Sequence, residues 1–222
     1  MKSDSKKYID WEVSNFSQAI DFWIDMLSQK KEYSSALELG ARSGDISMLF
    51  ADLNYSSIYC TDIINNCGMK LRNSAYSSKV KFKQTDALDI NFPDSFFDVV
   101  ACKSVLGGIS KKETNKLNIA TKEIHRVLKN NGSFIFAENI EGSIMHKITR
   151  NWFKSSGWYY PNLKEFIHTL DDFTNVKYHT TGFFTILSRN ENIKYKIFIL
   201  DDLIKNIVNE KSKYIIYGIA EK

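Results

Sequence analysis

The chain has 222 residues, of which 43% are hydrophobic and 25% are charged, with 10 glycines and 2 prolines. This composition is typical of a folded globular domain and excludes collagen-like, low-complexity and disordered chains. Thirty basic residues against 26 acidic ones give a net charge of +4. That charge permits phosphate-bearing partners without requiring nucleic acid.

Signals for membranes, secretion and metals are not evident. No apolar run approaches the roughly 18–20 residues of a membrane span, and the N-terminus has no apolar stretch of the kind a signal peptide needs. Cys60, Cys67 and Cys102 share no metal-ligand spacing, and the four histidines form no HxxxH or HExxH pair. We therefore predict a cytoplasmic protein with reduced thiols and no metal site.

Strands and helices are predicted to alternate along the chain. A helix over residues 8–30 follows from the helical spacing of apolar residues between Phe16 and Leu27, and a buried strand at 36–39 comes next. The later predicted elements, in chain order, are a helix from residue 44, a strand at 57–62, a weaker helix at 63–76, strands at 80–85 and 97–102, a helix at 111–129, a strand at 133–137, a helix from residue 161, a strand at 176–187, a helix at 197–208 and a strand at 214–220.

This alternation through five strands indicates a doubly wound α/β domain with helices on both faces of a parallel sheet. No linker, repeat or second domain is visible. Two regions break the alternation, namely the N-terminal helix and residues 140–160. The latter segment is predicted to be loop-like and is rich in aromatic and basic residues. Insertions beyond strand ends often carry substrate contacts in such folds.

The most informative segment is Ala-Leu-Glu-Leu-Gly-Ala-Arg-Ser-Gly-Asp at 36–45, which leads from an apolar strand through a turn into a helix. Gly40 and Gly44 would let the backbone come close to a ligand without a clash from Cβ. Glu38 can accept a hydrogen bond from an amino or cationic group. The segment therefore predicts a ligand site at the end of the first strand.

Two further acids end the next two strands. Asp62 lies 22 residues after Gly40, the placement from which a carboxylate binds both hydroxyls of a ribose. Asp86 could accept the amino group of an adenine. Three acids at three consecutive strand ends would line one crevice. Plainer alternatives are a buried core carboxylate for Glu38, a helix cap for Asp62 and an ordinary loop acid for Asp86.

As a set, these residues resemble class I S-adenosylmethionine-dependent methyltransferases. The family's first motif, (D/E)-x-G-x-G-x-G, is matched at Glu38, Gly40 and Gly44. The segments that fall in the family's later positions are Asp62, Asp86 with Ala87, Phe97-Asp98-Val99-Val100-Ala101-Cys102, and the helix and turn at 123–132. The resemblance covers residues 34–139.

The resemblance implies a seven-stranded, mostly parallel, Rossmann-like sheet with an antiparallel last strand and an extra N-terminal helix. It implies a single domain over 1–222, divided into a helical segment at 1–33, a cofactor-binding half at 34–139 and an acceptor-side half at 140–222. The residues it implies for S-adenosylmethionine are Glu38, Gly40, Ala41, Arg42, Gly44, Asp62, Ile63, Asp86, Ala87, Lys103 and Ser104.

The sequence departs from the family at Arg42, which replaces the middle glycine. Its side chain must point away from the methionine moiety or use its guanidinium on a carboxylate or phosphate. The link at 88–95 is also too short for the helix of many relatives. A nicotinamide dehydrogenase is the competing interpretation, but its G-x-G-x-x-G fingerprint is absent. An acid before the first glycine suits a sulfonium amino acid better than a pyrophosphate.

Missing motifs exclude some classes of methyl acceptor. The proline-containing box of amino-methylating nucleic-acid enzymes and the acid of metal-assisted catechol enzymes are both missing after strand four. Aromatic rings beside basic groups suit a sugar ring that bears phosphate, or another polar ring. The residues expected to form this acceptor wall are Glu138, Asn139, His146, Lys147, Arg150, Trp152, Lys154, Trp158, Tyr159 and Tyr160.

Three residues are candidates for the chemistry. His146 is the first choice as general base because an imidazole titrates near neutral pH. Glu138 is the second, and Lys103 could orient the acceptor hydroxyl. The run at 103–109 and Ala137-Glu138-Asn139 are similar to bacterial surface-polysaccharide and sugar-modifying methyltransferases.

The predicted function is O-methylation of a sugar, glycan or nucleotide-activated sugar. The alternatives are methylation of another small polar metabolite and a non-catalytic cofactor-binding protein. Neither nucleic acid nor a membrane is an expected partner, and the sequence does not indicate how many subunits assemble.

Overall fold

The computed structural model describes residues 5–30, 33–65, 68–111, 113, 115–152 and 157–222. Within these residues, seven strands form one sheet in the order β3-β2-β1-β4-β5-β7-β6. The strands are β1 (Ser35–Leu39), β2 (Ser57–Asp62), β3 (Val80–Gln84), β4 (Phe97–Lys103), β5 (Leu128–Asn139), β6 (Thr174–Thr181) and β7 (Ile215–Glu221). Strands β1 to β5 pair in parallel, and β7 runs antiparallel between β5 and β6. The predicted fold is confirmed.

Helices cover both faces of this sheet. They are α1 (Val13–Ser28), α2 (Asp45–Asp52), α3 (Met69–Arg72), α4 (Leu106–Ser110), α5 (Asn115–Val127), α6 (Ile144–Trp152), α7 (Leu163–His168) and α8 (Glu191–Ile204). Short 3-10 helices lie at Ser5–Tyr8, Thr185–Leu187 and Glu210–Ser212. The chain order reverses between β1 and β4, and the crevice at such a reversal is where doubly wound sheets bind their ligands.

Two apolar cores, one on each face, hold the helices in place. On one face α1 buries Phe16, Ile20 and Trp23, and the Trp23 indole donates a hydrogen bond to the Gly218 carbonyl at 3.1 Å. On the other face α5 packs against β5, where Phe134 is fully buried. Central strands covered on both faces are mostly apolar, and the strand at 97–102 is apolar apart from Asp98.

Several boundaries differ from the prediction. The helix expected at 63–76 is only the four residues of α3. The strand expected at 176–187 ends at Thr181, because Gly182 takes a positive φ of 76° and a Cβ there would lie 2.6 Å from the Tyr214 ring. The helix expected at 197–208 begins earlier, since the Asn190 side chain accepts hydrogen bonds from the backbone N–H groups of its first turn.

The segment at 140–160, predicted to be loop-like, contains α6. Its apolar residues Ile144, Ile148 and Trp152 recur every four positions, which is a helical spacing, but all three are exposed. In the described part of the chain, no helix is long and apolar enough to cross a membrane. The same part contains no group of three or more His, Cys, Asp or Glu residues placed to hold a metal ion. Cys67 lies outside the described residues.

Candidate active site

A cavity of about 1020 Å³ opens at the carboxyl ends of the central parallel strands. The ends of β1 and β2 form one half of its wall. The residues before α1, the start of α8 and the segment around Trp158 form the other half. Glu38, Asp62 and Asp86 all line this one cavity. The strand ends therefore meet as the sequence predicts.

Glu38 is held inside the wall by helix α2. Its Oε1 accepts from the Ile46 N–H at 3.1 Å, and its Oε2 accepts from the Ser47 N–H at 2.7 Å and the Ser47 hydroxyl at 2.6 Å. Burial raises the pKa of this carboxyl to about 7. Glu38 therefore anchors the first turn of α2. This agrees with the alternative interpretation of Glu38 as a hydrogen-bonded core carboxylate. Glu38 also lines the cavity.

The glycines of the first turn are required by the backbone conformation and by close packing. Gly40 and Gly44 take φ of 62° and 89°, which favour glycine. A Cβ at Gly40 would lie 2.5 Å from the Val105 side chain, and one at Gly44 would lie 2.5 Å from Leu71. Protein side chains thus occupy the space that a Cβ at either glycine would need. Gly40 lines the cavity and Gly44 does not.

Asp62 joins the ends of the first two strands. Its Oδ2 accepts from the Arg42 N–H at 2.9 Å and its Oδ1 from the Ile64 N–H at 3.2 Å. Asp62 does not cap α3, which begins seven positions later at Met69. Arg42 has a positive φ of 45°, so its side chain leaves the turn in an unusual direction, and the residue is exposed. Ala41, Arg42 and the exposed Ile63 line the cavity as predicted.

The end of β3 supplies a further polar group that the sequence argument missed. Asp86 and Ala87 line the cavity, and the Asp86 Oδ1 accepts from the Leu88 N–H at 2.9 Å within a tight turn. The preceding residue, Thr85, also lines the cavity, and its buried hydroxyl has no hydrogen-bond partner within the described chain. Its position directly before Asp86 is the only sequence signal that could have indicated it.

Lys103 and Ser104 end β4 and line the cavity. The Lys103 ammonium lies 5.5 Å from the ring centroid of Trp11 and 5.3 Å from that of Phe16, a cation–π arrangement. Burial lowers the pKa of Lys103. Ser104 has a positive φ of 56°, and its hydroxyl accepts from the Asn139 side chain at 3.2 Å. Such strained backbone is typical of functional sites.

Glu138 lies behind the wall rather than in it. Its Oε1 accepts from the N–H groups of Val105 at 2.8 Å and Leu106 at 3.0 Å, so it holds the start of α4. Its Oε2 is buried without a hydrogen-bond partner in the described chain, and burial raises the pKa of the group to about 7. Glu138 does not line the cavity. The structure therefore does not support the prediction that Glu138 contacts the acceptor directly.

His146 is the clearest correction. It is fully buried, outside the cavity lining. Its Nδ1 accepts from the Ser143 N–H at 2.8 Å, which leaves Nε2 to donate to the Phe183 carbonyl at 2.8 Å. Both nitrogens are engaged, and burial lowers the pKa of the ring. The structure therefore contradicts the prediction of His146 as general base. A single sequence gives no signal that this imidazole would pack inside.

The acceptor half keeps part of the expected wall. Arg150, Trp158, Tyr160 and Asn139 line the cavity. Of the other predicted wall residues, Lys147 pairs with Glu141, Trp152 is 83% exposed, the Tyr159 hydroxyl donates to Glu165, and Lys154 lies outside the described residues. Trp158 packs over Gly107 and Gly108, where any Cβ would overlap its indole. This contact explains the glycine pair after β4.

A buried polar cluster that the sequence argument did not find completes this half. Glu12 accepts from Lys194 in an ion pair, and from Tyr214 at 2.9 Å and Asn15 at 3.0 Å. The Glu191 carboxylate accepts from the N–H groups of Glu12 and Val13, each at 3.0 Å. These contacts fix the start of α8 to the start of α1 in the wall of the cavity. These residues are far apart in the sequence, so spacing could not have revealed them.

Comparison with known proteins agrees with this geometry. Residues 37–136 match a family model described as a methyltransferase domain. Over 108 residues the chain is 30% identical to the ubiquinone/menaquinone biosynthesis C-methyltransferase UbiE of Vibrio campbellii, a match that covers 46% of this chain and 40% of that protein. The matched part is thus less than half the length of this curated relative.

Solved structures show the same fold along nearly the whole chain. A putative sarcosine dimethylglycine methyltransferase from Galdieria sulphuraria aligns with a TM-score of 0.65 and 15% identity, covering 95% of this chain and 88% of that one. A SAM-dependent methyltransferase from Archaeoglobus fulgidus aligns with a TM-score of 0.62 and 14% identity, covering 90% and 91%.

The fold, the acids at the strand ends and the family match all agree for the matched segment. Residues 37–136 match a methyltransferase domain, and this match and the cavity both support S-adenosylmethionine as the cofactor. The cavity fits this cofactor: acids at the strand ends suit a sulfonium and an amino group, and the partnerless Thr85 hydroxyl is a polar atom that a ligand would satisfy. Which acceptor the protein methylates is a separate question.

Proposed function

We propose that the chain transfers the methyl group of S-adenosylmethionine to a hydroxyl of a sugar, glycan or nucleotide-activated sugar. One observation carries the proposal. A single cavity joins the acids of three strand ends to a half lined by Trp158, Tyr160 and Arg150. Flat rings beside hydrogen-bonding groups are suited to a polar ring.

The residues that would hold the cofactor follow from their places in the wall. Asp62 would bind the ribose hydroxyls, and Ile63 offers an exposed apolar side chain beside it. Thr85 and Asp86 would contact the adenine. Bound there, the cofactor supplies an electrophilic methyl on a sulfonium, so the protein mainly has to align the acceptor and, where needed, remove a proton.

Lys103 is the residue we propose as general base. It lines the cavity at the end of β4, between the cofactor half and Trp11. A lysine can accept a proton only when it is neutral, and burial lowers its pKa toward that state. Glu138 would act as a positioning residue, because it holds the α4 start that follows Lys103 and Ser104.

A second candidate function is methylation of another small polar metabolite. The curated relative is named a C-methyltransferase of ubiquinone and menaquinone biosynthesis. The structural neighbour is named for sarcosine and dimethylglycine. Because these names cover carbon and nitrogen acceptors, the atom that this chain methylates must be identified by assay.

The test is methyl transfer from labelled cofactor to a panel of nucleotide sugars, free sugars, dimethylglycine and a soluble quinol, with products identified by mass spectrometry. We expect methylated hydroxyl products. Lys103→Met should lower kcat by on the order of 100-fold, and the control Lys147→Gln should behave as the unmodified chain. Transfer only to nitrogen or carbon would reject the sugar acceptor. Binding without any transfer would favour a non-catalytic protein.

A further inference from the structure

The two halves of the cavity differ in charge. The cofactor half is lined by Glu38, Asp45, Asp62 and Asp86, with Arg42 as its exposed cation, and Lys103 lies at the boundary of the two halves. The described cations that line the acceptor half are Lys111, Lys116, Arg150, Arg189 and Lys194, and the acids beside them are Asp10, Glu12 and Glu191. A positively charged cofactor and a negatively charged acceptor would match this division.

Most of the charge in the acceptor half is already balanced within the protein. Lys194 pairs with Glu12, and the Glu191 carboxylate accepts from the backbone N–H groups of Glu12 and Val13 at the start of α1. Lys116 pairs with Glu113. These contacts hold the walls together.

Arg150 differs from these residues because its partners are neutral. Its two terminal nitrogens donate to the carbonyls of Ile140 and Glu141, each at 2.7 Å. Its guanidinium carbon lies 3.7 Å from the ring centroid of Tyr160. Within the described residues, no carboxylate forms an ion pair with it. A guanidinium has five N–H donors, so donors remain, and the carbonyls together with the ring fix the plane in which they point.

We propose that Arg150 binds an anionic group of the methyl acceptor, a phosphate or a carboxylate. This inference rests on the proposed function, because it takes the half of the cavity around Arg150 as the acceptor site. Arg150 is half-buried and has no carboxylate in ion-pair contact within the described residues, so an anionic ligand would stabilise its charge. A fork of guanidinium donors also matches the two oxygens of a phosphate or carboxylate. Arg150 would thereby also determine specificity, since a neutral analogue would leave the charge uncompensated.

The test is calorimetry on the full chain saturated with S-adenosylhomocysteine. The probes are glucose 1-phosphate, glucuronate and neutral glucose, and the first two distinguish a phosphate from a carboxylate. We expect at least one anionic probe to bind and glucose to bind about tenfold more weakly or not at all. Arg150→Gln should weaken the anionic probe by about 10- to 100-fold. Lys147→Gln, which removes a charge from the exposed side of the same helix, should not.

The outcomes separate this inference from the proposed function. Equal binding of glucose and the anionic sugars, or unchanged anion binding by Arg150→Gln, would overturn the role of Arg150. Retained binding of S-adenosylhomocysteine shows that the Arg150→Gln cavity is folded. If that variant does not fold, the comparison of neutral and anionic probes on the unmodified chain decides the matter. Failure of the unmodified chain to bind S-adenosylhomocysteine would reject the proposed function itself.

Discussion

Replacing Glu138 by Gln should make the protein's stability less dependent on pH. A buried carboxyl with one oxygen lacking a partner favours its protonated form, and its pKa rises from 4.5 to about 7. The folded state therefore binds more protons than the unfolded state between those two values. Below pH 4.5 the stabilising contribution of Glu138 to the free energy of unfolding is fully present, and it is lost as pH rises to 7. This shift in the pKa of Glu138 corresponds to a change of roughly 3 kcal/mol in the free energy of unfolding.

The measurement is urea unfolding at pH 5 and pH 8, followed by circular dichroism. Gln keeps an oxygen that can accept from Val105 and Leu106, so the start of α4 stays held. Glu38, with the same raised pKa, and the histidines with lowered pKa titrate in the same window. The variant is therefore compared with the unmodified chain at each pH. We expect its relative free energy of unfolding to rise by about 1–3 kcal/mol from pH 5 to pH 8. A difference that does not change with pH would refute the reasoning.

Two other substitutions test packing and electrostatics. Gly107→Ala should destabilise the protein by about 1–3 kcal/mol. The new Cβ would overlap the Trp158 indole and lie 2.5 Å from the Tyr159 carbonyl oxygen. An unchanged melting temperature with unchanged tryptophan fluorescence would contradict this contact. Asp98→Asn should cost on the order of 1–3 kcal/mol at pH 7, because hydrogen bonds from Ser35 hold the pKa of Asp98 at about 2. That cost should disappear as pH falls through about 2, and a cost that persists in acid would exclude a charge effect.

The sequence was sufficient for the sheet because local patterns determine it. Largely apolar runs such as 97–102 and the turn at Gly40 indicate strands that end at one edge, and the resemblance to a family supplies their order. The positions of the acids follow from that strand order. Asp62 and Asp86 needed only their position at a strand end to be placed in the cavity.

The acceptor half could not be predicted in the same way, because contacts between distant segments build it. Glu12 and Lys194 are 182 positions apart and form one ion pair. His146 looks like a base on its chemistry alone, yet Ser143 and Phe183 take both of its nitrogens. Such contacts depend on how α6 and α8 pack, which periodicity does not specify.

Calorimetric titration of S-adenosylhomocysteine into the full chain tests most directly whether the strand ends bind the cofactor. The account predicts saturable binding to the unmodified chain. Asp62→Ala should weaken it by roughly 1–3 kcal/mol, the scale of lost charged hydrogen bonds, and Asp25→Ala, an exposed acid on α1, should leave it unchanged. No binding to folded protein at high-micromolar ligand, or equal affinity of Asp62→Ala and the unmodified chain, would contradict it.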